Sequence, residues 1–447
     1  VTLPELLPSL RSSLPPHLDP DIWPLTARAG EHGEILVGGV ALSAVAEAYG
    51  TPTYVLDEAD IRARCRDYRA AFPDAEIAYA AKALLCRAVA GWIAEEGLAL
   101  DVCSAGEITV AHSAGFPPRR MMLHGNAKTP QDLRTALDHG VGRIVIDSIG
   151  EIALLAATVR RRQKVLLRVT PGVDAHTHHA LTTATEDQKF GLSLATGAAA
   201  DAALRVLGQR KLELVGVHCH IGSQISRFCE YEQALRRLVA FMAWLRDERQ
   251  ITLAELDLGG GHAVPYVSGD DGFALQAFAT RIRRVLRLEC DRHRLPVPRI
   301  TIEPGRAVVA RAGVTLYHVI SVKRTAGGQR LVAIDGGMSD NLRPSLYGAR
   351  YTARLVGRAP TTDLVPTTVV GRHCEAGDVV ARDVPLPACV RPGDLIAVPC
   401  TGAYHHSLAS NYNVVGRPPI IGVRDGCARA LVRRETIEDI LARDVAR

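Results

Sequence analysis

The chain has 447 residues, 47% of them hydrophobic, enough for two domains and a large core, and it carries no internal repeat. Its 53 Lys and Arg against 48 Asp and Glu give a formal charge of +5; the basic residues are scattered, so neither nucleic acid nor a membrane surface is an expected partner. Ten cysteines without a C-x-x-C pair read as reduced thiols of a cytoplasmic protein rather than a disulfide framework.

Residues 1–24 are Leu- and Pro-rich, with no basic stretch leading into an apolar one and no run near the ~18 apolar residues of a membrane span, so a loosely structured N-terminus is expected. Glu34-Ile35-Leu36-Val37 then reads as a short strand, Gly38-Gly39 as a turn and Ser43 as a helix N-cap. Residues 25–50 are expected to join a later β domain through that strand. Eight short apolar runs follow, alternating with helical patterns, at 77–83, 99–105, 121–126, 143–148, 165–170, 214–222, 255–261 and 301–305. Strands each followed by a helix or crossover predict a parallel (β/α)8 barrel over residues 51–310. A doubly wound sheet also alternates in this way, but no G-x-G-x-x-G follows the first strand. Arg160-Arg161-Arg162 reads as the solvated end of a helix. From 311 to 447, runs at 314–322, 330–334, 367–371, 394–398 and 428–433 between Gly/Pro turns predict a C-terminal β-sheet domain, completed by the N-terminal strand near residue 35.

In a barrel of this kind chemistry sits at the C-terminal ends of the strands. Polar residues end nearly every run: Lys82, Asp101 with Ser104, His124 with Asn126, Asp147, Arg168, His220 with Ser223, Gly259-Gly260-Gly261, and Glu303. A lysine closing a buried strand is expected to lose hydration, which favours a neutral amine able to attack a carbonyl, and Lys82 is the candidate Schiff-base residue. The plainer alternative is a lysine reaching from the strand tip into water. Gly259-Gly260-Gly261 and Glu303-Pro304-Gly305-Arg306 follow the seventh and eighth runs, where barrels hold phosphate, although a tight turn also explains three glycines. His218 and His220 lie two apart and so share a strand face; a zinc pair competes here, without an H-E-x-x-H or a third ligand at suitable spacing. In the β domain, His373-Cys374-Glu375-Ala376-Gly377-Asp378, Gly402-Ala403-Tyr404 with Ser410-Asn411-Tyr412-Asn413, and Asp340-Asn341-Leu342-Arg343 with Tyr347 each have a hydrogen-bonded loop as the simplest reading. Together the amine, phosphate cradle, carboxylate, thiol and arginines suit pyridoxal 5'-phosphate held by a lysine.

In these residues the chain resembles the fold-type III pyridoxal-phosphate decarboxylases, most closely their diaminopimelate branch. Tyr79-Ala80-Ala81-Lys82, His220-Ile221-Gly222-Ser223-Gln224, Asp257-Leu258-Gly259-Gly260-Gly261, Glu303-Pro304-Gly305-Arg306, Cys374-Glu375 and Gly402-Ala403-Tyr404 occur in family order from about residue 23 onward, and Glu186-Asp187-Gln188-Lys189-Phe190-Gly191-Leu192 extends the likeness. The resemblance implies Lys82 as the Schiff-base lysine, His220 stacked on the cofactor ring, and Glu303 on the pyridine nitrogen. Gly259, Gly260, Gly261, Ser223 and Tyr404 would hold the phosphate, with Asp101, Gly305 and Arg306 also in the cofactor site. It further implies a head-to-tail homodimer whose active sites take Cys374 and Glu375 from the partner chain. Arg306, Arg343 and Tyr347, with Tyr404, would hold the substrate's far carboxylate and Glu375 its distal amine; paired arginines select a dicarboxylic amino acid, because a monocarboxylate leaves a buried cation unpaired. The implied reaction is decarboxylation of meso-diaminopimelate to L-lysine, with Cys374 reprotonating the α-carbon.

Some positions depart from the family pattern. Leu84, His262-Ala263, Ala376 and His405-His406 do so, and the added imidazoles and Ala376 are expected to border the substrate's far end. A related or modified diamino acid of specialised metabolism is therefore an alternative substrate. A racemase on the same fold is a second alternative; Glu303 argues against it, since the racemase-like site is expected to have an arginine there. Retention of Lys82, Cys374 and Glu303 argues against a non-catalytic regulator.

Overall fold

The computed structural model describes residues 18–173, 189–359 and 363–446. The expected loose N-terminus therefore lies, up to residue 17, outside the described residues, as do Glu186-Asp187-Gln188 of the family-like stretch. The chain forms two compact units, one of Arg62–Val264 with Asp271–Val308, the other of Val1–Ile61, Pro265–Asp270 and Val309–Arg447.

The first unit contains the barrel. Its strands are β1 (Glu76–Ala80), β2 (Ala99–Val102), β3 (Met121–Leu123), β4 (Arg143–Ile146), β5 (Gln163–Thr170), β6 (Leu212–His218), β7 (Glu255–Asp257) and β8 (Arg299–Ile302). Each pairs in parallel with the next, and β8 closes on β1 with Thr301 opposite Glu76 and Ile302 opposite Ile77. Parallel strands are covered on both faces, which is why they read as continuous apolar runs. Ala78, Ala99, Met122, Val145 and Leu166, one from each of β1 to β5, make a buried cluster that fills the interior with small and large side chains. The helix after β3, Pro130–His139, shows how the sequence sets the turns between strands. Thr129 caps it in a reciprocal box with Asp132, Pro130 opens its first turn, and Gly140 ends it at φ 73°. The three arginines at 160–162 are exposed just beyond the helix Ile149–Thr158.

At the N-terminal end of the barrel the first residues of four strands form a closed ion-pair ring. Arg143 reaches Glu76 and, at 2.8 Å, Glu255; Arg299 lies 2.9 Å from Glu76 and 3.0 Å from Glu255. Burial works against the Arg143 charge, and the two carboxylates outweigh it.

In the second unit Gly313–Arg324 is the long central strand, flanked by Arg330–Ile334 and Leu395–Pro399. Leu364–Val370, Val379–Pro387, Arg354–Val356, Ile420–Arg424 and Cys427–Val432 extend the sheet. An N-terminal strand does complete it, but it is Thr53–Asp57, antiparallel to Gly313–Leu316 and parallel to Ile420–Val423. The strand expected in that place, Ile35–Val37, instead forms a small three-stranded sheet with Arg28–Ala29 and Val40–Ala41. Residues 51–61 thus belong with the β unit, not the barrel. The reason is pairing: all five side chains of Thr53–Asp57 are buried, and its edges find partners some 260 and 360 residues away. Ser43 is not the N-cap of the following helix, Leu42–Tyr49, which Ala41 precedes; its hydroxyl bonds Glu34. All ten cysteines are free, and among the described residues no helix is long and apolar enough to cross a membrane.

Candidate active site

The C-terminal ends of the barrel strands gather most of the residues singled out in the sequence. Just past β8, Glu303 is 5% exposed, with the buried His124 beyond β3 and the buried His218 ending β6 on either side. His124 Nε2 lies 2.8 Å from Glu303 Oε1 and His218 Nε2 3.3 Å from Oε2. The first contact is close but off the line of a hydrogen bond, so Glu303 Oε1 remains a buried acceptor without an aligned donor among the described residues. Burial alone would push the Glu303 carboxyl up; His124 and His218 outweigh it and hold it well below the usual carboxylate range. Asp257, ending β7, faces the same group and moves the other way, raised by burial and then by the Glu303 charge. Its Oδ1 accepts from the Gly259 N–H at 2.8 Å.

Lys82 sits in the turn Ala81–Ala83 that ends β1. The strand is buried as expected, but the lysine is exposed, so desolvation is not what prepares its amine. Its charge is nevertheless felt by Asp101, Glu107 and His220, which places it at this end of the barrel. Asp101 is buried, 3.7 Å from His124 Nε2, and burial raises its carboxyl. The His220 ring accepts from the Gly260 N–H through Nδ1 at 3.2 Å, so its proton resides on Nε2. Burial, then Lys82 and Arg168, hold that imidazole neutral. β6 stops at His218, and the two histidines take different partners, Glu303 and Gly260, which is not the arrangement of a zinc pair.

The triple glycine is a close-approach device. A Cβ at Gly260 would fall 1.9 Å from the Glu303 carbonyl oxygen, and one at Gly261 2.1 Å from that of Gly222. Arg306 donates through Nη2 to Ser223 Oγ at 3.0 Å, tying the segment after β8 to the one after β6. Gly305 packs against Ala80 and Ala83 beside Lys82.

Sequence reasoning marked His124 as a polar residue ending a strand and His218 as sharing a face with His220 but gave neither a role, and it gave none to Asp257 or Glu107. Ligand-capable atoms of His124, His218, Asp257 and Glu303 all lie within 4.8 Å of one another, a proximity that only the closed barrel creates. Glu107 follows Ser104 by three residues, which reads as a helix cap and is one: Ser104 Oγ accepts from the Glu107 N–H at 3.2 Å. Its carboxylate also accepts from the Cys103 N–H at 2.6 Å, and burial, with Asp101 adding, raises it to about 7.

Within the β unit, Cys374 and Glu375 are exposed on a turn held from behind. Asn413 Oδ1 accepts from the Cys374 N–H and from His373 Nδ1, both at 3.1 Å, and His373 Nε2 lies 2.8 Å from Ser339 Oγ. Asp378 accepts from the His373 N–H at 2.8 Å, and Tyr412 donates to Glu375 at 3.3 Å. Arg343 is buried against the Tyr266 ring, 4.5 Å from its centroid, and donates to Tyr351. Tyr347 is half-buried and Tyr404 holds a left-handed φ of 62°.

Two of the departures from the family pattern are buried and packed. His262 is 2% exposed, stacked 4.4 Å from Phe273 among Phe278 and Tyr231, with Nδ1 2.7 Å from Tyr68 Oη. Burial pushes it down to about 3. His405 is likewise buried, its Nδ1 2.9 Å from the Ala403 carbonyl.

Residues 58–310 match the family model described as pyridoxal-dependent decarboxylase, pyridoxal binding domain. The chain belongs to the pyridoxal-dependent decarboxylases. It is 58% identical to a diaminopimelate decarboxylase of Actinosynnema pretiosum subsp. auranticum over 100% of both chains. It is 46% identical to that of Mycobacterium tuberculosis strain H37Rv, over 96% of this chain and 99% of the relative. Among solved structures, the M. jannaschii diaminopimelate decarboxylase in co-complex with L-lysine superposes with a TM-score of 0.88 at 30% identity, covering 94% of this chain and 98% of that one. The pyridoxal-dependent decarboxylase barrel fits its cofactor in one testable respect: Glu303 offers a buried, ionised oxygen without an aligned donor, the complement of a protonated ring nitrogen.

Proposed function

We propose that the chain converts meso-diaminopimelate to L-lysine and carbon dioxide with pyridoxal 5'-phosphate. The observation that carries the reading is Glu303, a buried carboxylate held ionised at the chemical end of the barrel. When bound, pyridoxal phosphate supplies the electron sink that accepts the electron pair left by the departing carboxylate. Glu303 strengthens that sink by keeping the proton on the ring nitrogen, which favours decarboxylation over racemisation. Lys82 provides the amine that holds the cofactor and then yields it to the substrate. Neutral His220, its Nδ1 fixed by Gly260, offers a flat uncharged ring to stack on. N–H groups of Gly259 to Gly261, with Ser223 and Tyr404, bind the phosphate, and Asp101, Gly305 and Arg306 line the cofactor site.

In the same proposal Arg306, Arg343, Tyr347 and Tyr404 hold the substrate's far carboxylate, and Glu375 its far ammonium. Cys374 delivers a proton from Sγ to the α-carbon. The exposure of Cys374 and Glu375 on a braced turn supports their donation to a neighbouring chain in a head-to-tail homodimer. Ten free cysteines fit a cytoplasmic enzyme.

Product analysis with a panel of diamino acids tests the substrate. Holoenzyme should release carbon dioxide and L-lysine from meso-diaminopimelate and turn over lysine and ornithine poorly. Release from a different diamino acid and none from meso-diaminopimelate would refute the substrate and leave the decarboxylase. For shared sites, Lys82→Ala mixed with Cys374→Ala should regain about a quarter of wild-type activity, since half of randomly mixed dimers are hybrids with one intact site each; no recovery, with dimers exchanging, would show each site to be complete within one chain.

A further inference from the structure

Glu303 is embedded in a buried polar cluster to which the proposed function gives no role. Facing it are His124 from the end of β3, His218 from β6, Asp257 from β7 and, one step behind His124, Asp101 from β2. His220, Lys82 and Arg168 also act on this cluster, as does Arg143 on Asp257 from the other end of the barrel. Three buried carboxylates this close cannot all stay ionised without a compensating partner, and the proton goes to whichever is least supported.

The support is unequal. Asp257 has one backbone donor, the Gly259 N–H, and an Oδ2 without one among the described residues. Glu303 has an imidazole against each oxygen, and the two rings meet edge to face with centroids 4.8 Å apart at 70°. Burial keeps His218 neutral, so its Nε2–H acts as a neutral donor to Oε2. His124 Nε2, at 2.8 Å, is the shorter contact and lies between Glu303 and Asp101, within 3.7 Å of the second carboxylate.

We propose that His124 is a positioning residue: its Nε2, set against Glu303 Oε1, fixes the rotation of that carboxylate and keeps the negative charge on Glu303 instead of Asp257. Through Glu303 it keeps the proton on the cofactor's ring nitrogen. Because the His124 contact is off the line of a hydrogen bond, Oε1 keeps its acceptor capacity for the ring nitrogen, and the two do not compete. The inference rests on the reading of Glu303 as the group facing that nitrogen.

The test uses holoenzyme loaded with pyridoxal phosphate carrying a nitrogen-15 ring atom, whose chemical shift reports protonation directly. In wild type the signal stays at the protonated position through the neutral range. In His124→Leu it moves toward the unprotonated position, and kcat falls by about tenfold or more while KM changes by less than about threefold, one pKa unit being tenfold in protonated fraction. His124→Gln keeps an N–H donor and recovers part of both. A protonated signal and wild-type kcat in His124→Leu overturn the proposal. Should the leucine variant fail to fold, an unmoved signal and wild-type kcat in His124→Phe, which likewise lacks a donor, overturn it equally. Glu303→Gln is the control for the underlying reading: if it leaves the nitrogen protonated, the assignment of Glu303 fails, whereas a shift there with none in the His124 variants refutes only the role of His124.

Discussion

The two ends of the barrel carry buried charge in opposite ways. At the N-terminal end two arginines face two glutamates, and each of the four carboxylate oxygens of Glu76 and Glu255 has a guanidinium contact. At the C-terminal end two imidazoles face Asp257 and Glu303, and His124 Nε2, His218 Nδ1, Asp257 Oδ2 and Glu303 Oε1 lack aligned hydrogen bonds among the described residues. Buried polar atoms are normally satisfied, so unfilled capacity at one end marks where a ligand completes the set. The N-terminal ring closes on itself; the C-terminal cluster is the one proposed to bind and react.

Variants at the two ends should separate these roles. The largest effect is expected from Glu303→Gln, with kcat lowered by about 10²–10³-fold, the scale of losing one group aimed at developing charge, and little change in melting temperature. Steady-state kinetics beside a thermal melt would check it, and a loss of stability without loss of turnover would reverse the assignment of the two ends. Arg143→Met should do the opposite, costing about 3–5 kcal/mol of stability by leaving buried carboxylates short of a cation, with kcat/KM per folded molecule unchanged. Denaturant titration reads the first, active-site titration the second.

Glu107 gives a smaller, pH-dependent term. Its carboxyl is raised from 4.5 to about 7 in the folded chain, so the protonated form is the stabilised one. That contribution is complete below the unfolded value and is lost as pH rises through about 7. Glu107→Gln should therefore remove part of the stability loss between acidic and neutral pH; parallel stability curves for the two proteins would contradict this. The smallest change is expected from His262→Phe, which keeps the volume inside the aromatic cluster with Tyr68, Phe273 and Phe278 but leaves the buried Tyr68 hydroxyl without its partner, at about 1–3 kcal/mol and without effect on KM. A raised KM for the amino acid would return His262 to the substrate border.

The barrel was legible because parallel strands buried on both faces are continuous apolar runs, and because polar residues interrupt those runs where the loops begin. The β unit was less so. Val379–Pro387 was not anticipated: it contains Pro385, Pro387 and a charged Arg382-Asp383 step where Asp383 takes φ 51°, a local break in the strand pattern. Ile420–Arg424 follows two prolines and is too short to show periodicity. The placing of Thr53–Asp57 depended on partners at Gly313 and Ile420, which no local pattern encodes.

Within the site, Glu303 and the glycines stood out through residue type and position after a strand. His124 and Asp257 gain meaning only from each other, across β3, β7 and β8. The burial of His262 and His405 was not legible for the same reason, since each packs against a tyrosine remote in sequence, Tyr68 for His262 and Tyr351 for His405.

The central claim is that chemistry occurs at the C-terminal end of this barrel on an amine supplied by Lys82. Borohydride reduction of the holoenzyme, followed by peptide mass mapping, tests it most directly. The account predicts one phosphopyridoxyl adduct, on the peptide containing Tyr79-Ala80-Ala81-Lys82, absent from Lys82→Ala. An adduct on Lys128, Lys189 or any other lysine in the wild-type protein would contradict it.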